Sequence, residues 1–170
     1  MGEHRRELLR HAARILRDVT PLREDCGLLC EARCCKGGDH DGMWLLPGER
    51  ELLAEAGFLS IRETADGDYA ICQGNCSRDL RPISCRIFPC FPIPVRGRGG
   101  RYSIRVMPDT RALSLCPLFS ENAPEITPAF RHAVHRAGRL LLRDRKLRKW
   151  LAQSSDYITD IARVRELLKK

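Results

Sequence analysis

The chain has 170 residues, 43% of them hydrophobic and 31% charged, and a formal net charge of +8. That length suits one domain with a core of its own, and the balance is that of a soluble globular protein. No apolar run approaches the roughly 18 residues a membrane span needs, and at 6% aromatics there is little on which nucleic-acid bases could stack.

Residues 4–19 set Leu8, Ala12, Ile15, Leu16 and Val19 along one stripe, with arginines elsewhere, which predicts an amphipathic packing helix. Thr20-Pro21 ends it, because the residue before a proline disfavours the α region. The same stretch has no clean apolar h-region and no small-residue cleavage site, so no signal peptide is expected. A cytoplasmic location follows, where thiols stay reduced and disulfides are rare.

The next stretch, CGLLCEARCC, carries Cys26, Cys30, Cys34 and Cys35 within ten residues, out of nine cysteines in the whole chain. Nine is odd, so complete pairing would leave one over, and reduced thiols at short spacing point to metal or catalysis. On a helix Cys26, Cys30 and Cys34 would share one face. Eight helical residues, however, span about 12 Å, whereas a zinc–thiolate bond is about 2.3 Å. Either the segment turns, or these thiols serve a larger cluster or two metals. Cys35 points away from Cys34 in either regular structure, so the adjacent pair can divide between two centres. Gly37-Gly38 then breaks the chain. His40, between two aspartates, is read as a polar loop residue rather than a ligand.

MWLLPGERELLAEAGF predicts a short apolar segment and then a helix, started at Pro47, striped by Leu52, Leu53 and Ala56, and capped at Gly57. Trp44 reads as core. Asp66-Gly67 marks a turn into a strand-like segment that delivers Cys72, with Cys76 on the loop beyond it. RDLRPISCRIFPCFPIP holds four prolines, Pro82, Pro89, Pro92 and Pro94, which excludes a long helix or a central strand and predicts a stiff, irregular path that fixes Cys85. Arg81 and Arg86 flank that cysteine. Their charge favours thiolate over thiol, and their donors can hydrogen-bond cluster sulfurs. A hairpin follows, with Val95 before a glycine-rich turn and Tyr102, Ile104 and Val106 alternating after it. The RGRGGR tip reads as a solvated turn. Cys116-Pro117 comes next. Thr127 onward is helical again, with Phe130, Val134, Ala137 and Leu141 on one face. Residues 154–170 predict a last helix capped by Ser155 or Asp156 that buries Tyr157, Ile161, Val164 and Leu168.

Together the cysteine runs resemble the YkgJ-type cysteine-cluster family, a zinc- or iron-chelating domain with a C-x2-C-x2-C-C run, a later cysteine pair, an R-P-x2-C-R-x-F-P element and a distal cysteine. Arg81, Pro82, Cys85, Arg86, Phe88 and Pro89 match that element, Cys72 and Cys76 the pair, and Cys116 the distal position. The likeness covers roughly residues 26–117. The first run departs from it, each gap being one residue wider. Cys90 has no place in the pattern and is taken as the spare thiol. The family is related to flagellin lysine N-methylase, but this chain carries no separate methyltransferase domain or glycine-rich S-adenosylmethionine motif.

The expectation is a single, mostly helical α+β domain over residues 1–170. An irregular cysteine-rich metal centre at about 26–117 is joined to a small β-hairpin, and a helical part covers about 127–170. The expected ligands are Cys26, Cys30, Cys34, Cys35, Cys72, Cys76, Cys85 and Cys116. They would hold an iron–sulfur cluster or zinc. Iron–sulfur is preferred because zinc pairs commonly use compact C-x2-C knuckles, absent here. A cluster-dependent enzyme, methyl-transferring or redox, is the second reading. A zinc-stabilised nucleic-acid module using the basic helices is the third and is not favoured. A protein partner is compatible with all three, and no membrane partner is expected.

Overall fold

The computed structural model describes residues 2–35, 42–54, 56–72, 78–120 and 122–167. The first apolar stripe forms α1 (Glu3–Ile15), which buries Leu8, Leu9 and Ala12. The helix is shorter than its stripe. Leu16 takes the C-cap position and stays buried although the helix has ended.

After the cysteine run, β1 (Gly42–Trp44), β2 (Leu59–Thr64) and β3 (Gly67–Cys72) form an antiparallel sheet in the order β1-β3-β2. The Asp66-Gly67 turn joins β2 to β3, with Gly67 at φ 129, a conformation that only glycine adopts without strain. The helix expected between Pro47 and Gly57 does not form. Among the described residues there, the helical structure is the single 3₁₀ turn Arg50–Leu52, since the chain bends at Gly48 (φ 88) and the Glu49 side chain is drawn inward. Leu53 and Ala56 are still buried, in a small second core with Leu45 and Ala70.

The proline-rich stretch is more regular than expected. It forms a short helix, α3 (Ile83–Ile87), followed by β4 (Cys90–Arg96), which pairs with β5 (Tyr102–Pro108) as an antiparallel hairpin. Pro92 and Pro94 lie inside β4, opposite Val106 and Ile104. A strand in a two-stranded ribbon has one side with no ladder to feed. Prolines at alternate positions are tolerated there for that reason.

α4 (Pro128–Leu141) begins as predicted. The Thr127 hydroxyl accepts the Phe130 N–H at 3.3 Å, Pro128 sits in the first turn, and Phe130, Val134, Ala137 and Leu141 are buried. The final helix differs from expectation. α5 runs Arg145–Leu167, and its start is capped by Asp144, whose carboxylate accepts the Lys146 and Leu147 N–H groups at 2.8 and 3.0 Å. Ser155 is no cap. It lies within the helix and donates back to the Leu151 carbonyl at 2.6 Å. The buried face carries Leu147, Leu151 and Ile158, while Tyr157 is 60% exposed. Leu168 lies outside the described residues, as does the side chain of Val164.

These elements make an α+β domain, about half helical, with two small antiparallel sheets. The main core joins α1, α4 and α5 to the hairpin through Leu9, Phe91, Phe130, Val134, Leu147 and Leu151. No described helix is long and apolar enough to cross a membrane. The hairpin meets α4 at Gly138, where an added Cβ would stand 2.6 Å from the Pro92 Cβ and 3.2 Å from Ile104 Cγ1. Gly138→Ala is therefore expected to lower stability, by up to about 2 kcal/mol. Overpacking of about 1–3 kcal/mol outweighs the helix-propensity gain of about 1 kcal/mol. A urea midpoint at or above that of the wild type would show that the hairpin yields at this contact.

Candidate functional site

The first cysteine run is not one helix. α2 (Gly27–Cys30) is a single turn with Cys26 at its N-cap and the Cys30 thiol 3.7 Å from the Cys26 carbonyl. Glu31 and Ala32 then both adopt positive φ, 50° and 52°, before a 3₁₀ turn at Arg33–Cys35. Two consecutive non-glycine residues in the left-handed region cost on the order of 1–2 kcal/mol each. Such conformations cluster where geometry serves a site. Here the reversal folds the run back on itself, so that Cys26, Cys30 and Cys34 all line one cavity of about 70 Å³. Of the alternatives left open by the spacing, the segment turns.

α3 supplies the fourth thiol of that lining, Cys85. The helix is fixed from below by Glu49, only 2% exposed, whose carboxylate accepts the Ile83 N–H at 2.5 Å and the Leu46 N–H at 2.9 Å. Ser84 donates to the Trp44 carbonyl at 2.7 Å, tying the helix to β1. Arg86 acts on the backbone. Its guanidinium donates to the carbonyls of Arg81 at 2.7 Å, Asp79 at 2.9 Å and Ala13 at 3.2 Å, binding the Cys85 segment to itself and to α1. Cys116 is the fifth thiol of the cavity. It stands before the Pro117–Phe119 turn, its N–H held by the Ala112 carbonyl at 2.7 Å.

A second cavity of about 170 Å³ lies against the first, and Cys34 and Cys85 line both. Cys72, at the end of β3, opens onto this second cavity. Six of the eight predicted ligands thus face two adjoining spaces. Cys76 lies outside the described residues, as do His40, its neighbouring aspartates and the side chain of Cys35. Cys90 is 3% exposed within the main core and lines neither space.

Apolar walls set the electrostatics. Burial, then the charges of Asp25, Cys116 and Cys30, pushes the Cys26 thiol up to about 11, against the pull of the Arg81 guanidinium. Burial also raises Cys116, partly offset by the Leu118 N–H. At neutral pH both are thiols, and a metal would have to displace their protons. The space exceeds the roughly 10–15 Å³ that a single water requires, and thiolates are the donors that zinc and iron–sulfur centres take. The donor chemistry therefore fits such a group. The spacing is looser than in a closed site: no three His, Cys, Asp or Glu side chains among the described residues stand close enough to hold one ion. No disulfide joins any two described cysteine side chains.

No protein-family model, curated protein or solved structure matches the chain. The site is thus read from its residues alone. Two of its members were not singled out from the sequence. Asp25 lines the first cavity and accepts the Gly27 N–H at 3.0 Å. Its place directly before Cys26 was the available signal. Glu49 gave none, since a glutamate after Pro-Gly looks like any exposed turn residue.

Proposed function

We propose that the chain is a cytoplasmic metal-binding protein of the YkgJ-like cysteine-cluster type. In it, Cys26, Cys30, Cys34, Cys85 and Cys116 hold a thiolate-ligated centre, with Cys72 joining from the adjacent cavity. An iron–sulfur cluster is preferred to zinc. The observation that carries this reading is the meeting of five thiols, from three separate parts of the chain, on the lining of one cavity. The strained Glu31–Ala32 reversal supports it, because packing alone gives no reason to fold the cysteine run back. A bound cluster supplies a redox couple whose potential follows burial and hydrogen bonds to its sulfurs. The chain's own part is to gather the thiols, shield them with apolar walls and hold Cys85 on a braced helix.

Anaerobic purification followed by iron, zinc and acid-labile sulfide analysis tests this. Stoichiometric iron and sulfide with a visible absorption band are expected, Cys85→Ser losing most of the metal and Cys90→Ala keeping it. A colourless protein with tightly held zinc would overturn the preference for a cluster. Absence of both metals, or wild-type metal content in Cys85→Ser, would overturn the site.

A further inference from the structure

On the far side of the Arg81–Arg86 segment lies a larger and more polar cleft, of about 610 Å³. One wall is α1, which contributes Arg10 and Arg14, four residues apart and hence on one helical face, with Arg17 following just beyond the helix end. The opposite wall carries Arg81 and Arg86, which also line the thiol cavity. We propose that this cleft binds a small oxyanion of two or more negative charges, phosphate- or carboxylate-bearing, gripped chiefly by Arg10 and Arg14.

The arginines are not equivalent. Arg86 is committed to three backbone carbonyls and serves as a fixed positive charge. Arg17 stands 3.9 Å from Asp79, a long and exposed pair that an incoming anion can exchange. Arg10 and Arg14 are exposed and form no ion pair among the described residues, so their planar donor forks remain available to an oxyanion. Against these cations the cleft sets Glu51, Asp79 and the buried Glu49. Burial pushes the Glu49 carboxyl up to about 7, so it offers less than a full opposing charge at neutral pH. The remaining balance is positive. The volume falls within the range of roughly 300–1,000 Å³ typical of small-molecule sites.

A nucleic acid fits less well. The lining has no aromatic side chain on which a base could stack, and the carboxylates of Glu51 and Asp79 would repel a continuous phosphate backbone. A compact anion between the two arginine walls avoids both difficulties.

Calorimetric titration of the purified chain with pyrophosphate and with citrate, at fixed ionic strength, is the test. Saturable 1:1 binding of either is expected, and the stronger of the two identifies the phosphate or the carboxylate class. The double variant Arg10→Gln/Arg14→Gln should weaken binding about tenfold, the loss of two charge-assisted contacts. Its melting temperature should be unchanged, both side chains being exposed. Asp79→Asn should strengthen binding about two- to threefold by removing a cleft carboxylate that opposes the anion, a gain that a damaged fold cannot imitate. Arg98→Gln/Arg101→Gln at the hairpin tip should leave affinity unchanged. No saturable binding of either anion, or a double variant with wild-type affinity, would overturn the assignment. So would a single-stranded oligonucleotide that binds more tightly than pyrophosphate and loses that binding in the double variant.

Discussion

Glu49→Ala is expected to lose about 2–4 kcal/mol of stability at pH 5, because two buried N–H groups, those of Leu46 and Ile83, lose their acceptor together. The loss should shrink towards pH 8. Burial, opposed by the Ile83 and Leu46 hydrogen bonds and the Arg86 charge, raises this carboxyl from 4.5 to about 7. As pH rises the unfolded chain therefore gives up its proton before the folded one. The contribution of the group is fully present below about 4.5 and declines as pH climbs to 7 and beyond. Between pH 5 and 8 the wild type should lose roughly 2–3 kcal/mol through this residue alone, and neither Glu49→Ala nor Glu49→Gln should show that share. Urea unfolding of the three proteins at both pH values measures it. Equal costs for the alanine variant at pH 5 and pH 8 would show that the carboxyl titrates as an ordinary surface group. Because Ile83 opens the helix that carries Cys85, the alanine variant should also bind metal more weakly than its stability loss alone predicts.

Phe91→Ala should be the most damaging single truncation, at about 3–5 kcal/mol. The ring is fully buried in β4 and meets the indole of Trp150 on α5 at 6.1 Å, with the Arg111 guanidinium 5.9 Å from its centre. That arginine is itself tied to the buried carboxylate of Asp109. One side chain thus joins the hairpin, the last helix and the turn leading to Cys116. Phe91→Leu, which keeps most of the volume, should cost less than about 1.5 kcal/mol. If the alanine and leucine variants unfolded at the same urea concentration, the cavity argument for this position would fail.

The parts of the fold readable from the sequence are those whose signal is local. Thr127-Pro128 declares a helix start, Asp66-Gly67 a turn, and the leucines of α1 and α4 a period. The failures occur where a distant contact decides. The 48–57 segment has a helical pattern, but Glu49 answers to Ile83, 34 residues away. Asp144 caps α5 eleven residues before the expected serine, because Ser155 bonds within the helix rather than starting it. At the site, the residue types were legible, and a turn in the cysteine run was one of the alternatives that its spacing left open. That Glu31 and Ala32 make the turn was not, as neither residue favours a left-handed backbone. The arginine cleft was equally hidden. Its walls are the first helix and a segment some 70 residues later, and charge on an amphipathic helix ordinarily signifies only contact with water.

The thiol cavity has a bearing on the order of assembly. Cys26 and Cys116 lie about 90 residues apart in the chain, and both rest against the main core. By the scaling of loop-closure entropy, bringing them together costs roughly 3 kcal/mol more than closing the four-residue gap from Cys26 to Cys30. The approach of Cys26 and Cys116 is set by the packing of α1, the hairpin and α4, a core of apolar side chains against which both cysteines rest. A metal would thus be captured by a chain already folded, unlike a zinc finger, in which the ion itself drives folding. If the proposed centre is present, it rides on the architecture rather than building it, and a chain stripped of metal should keep its shape.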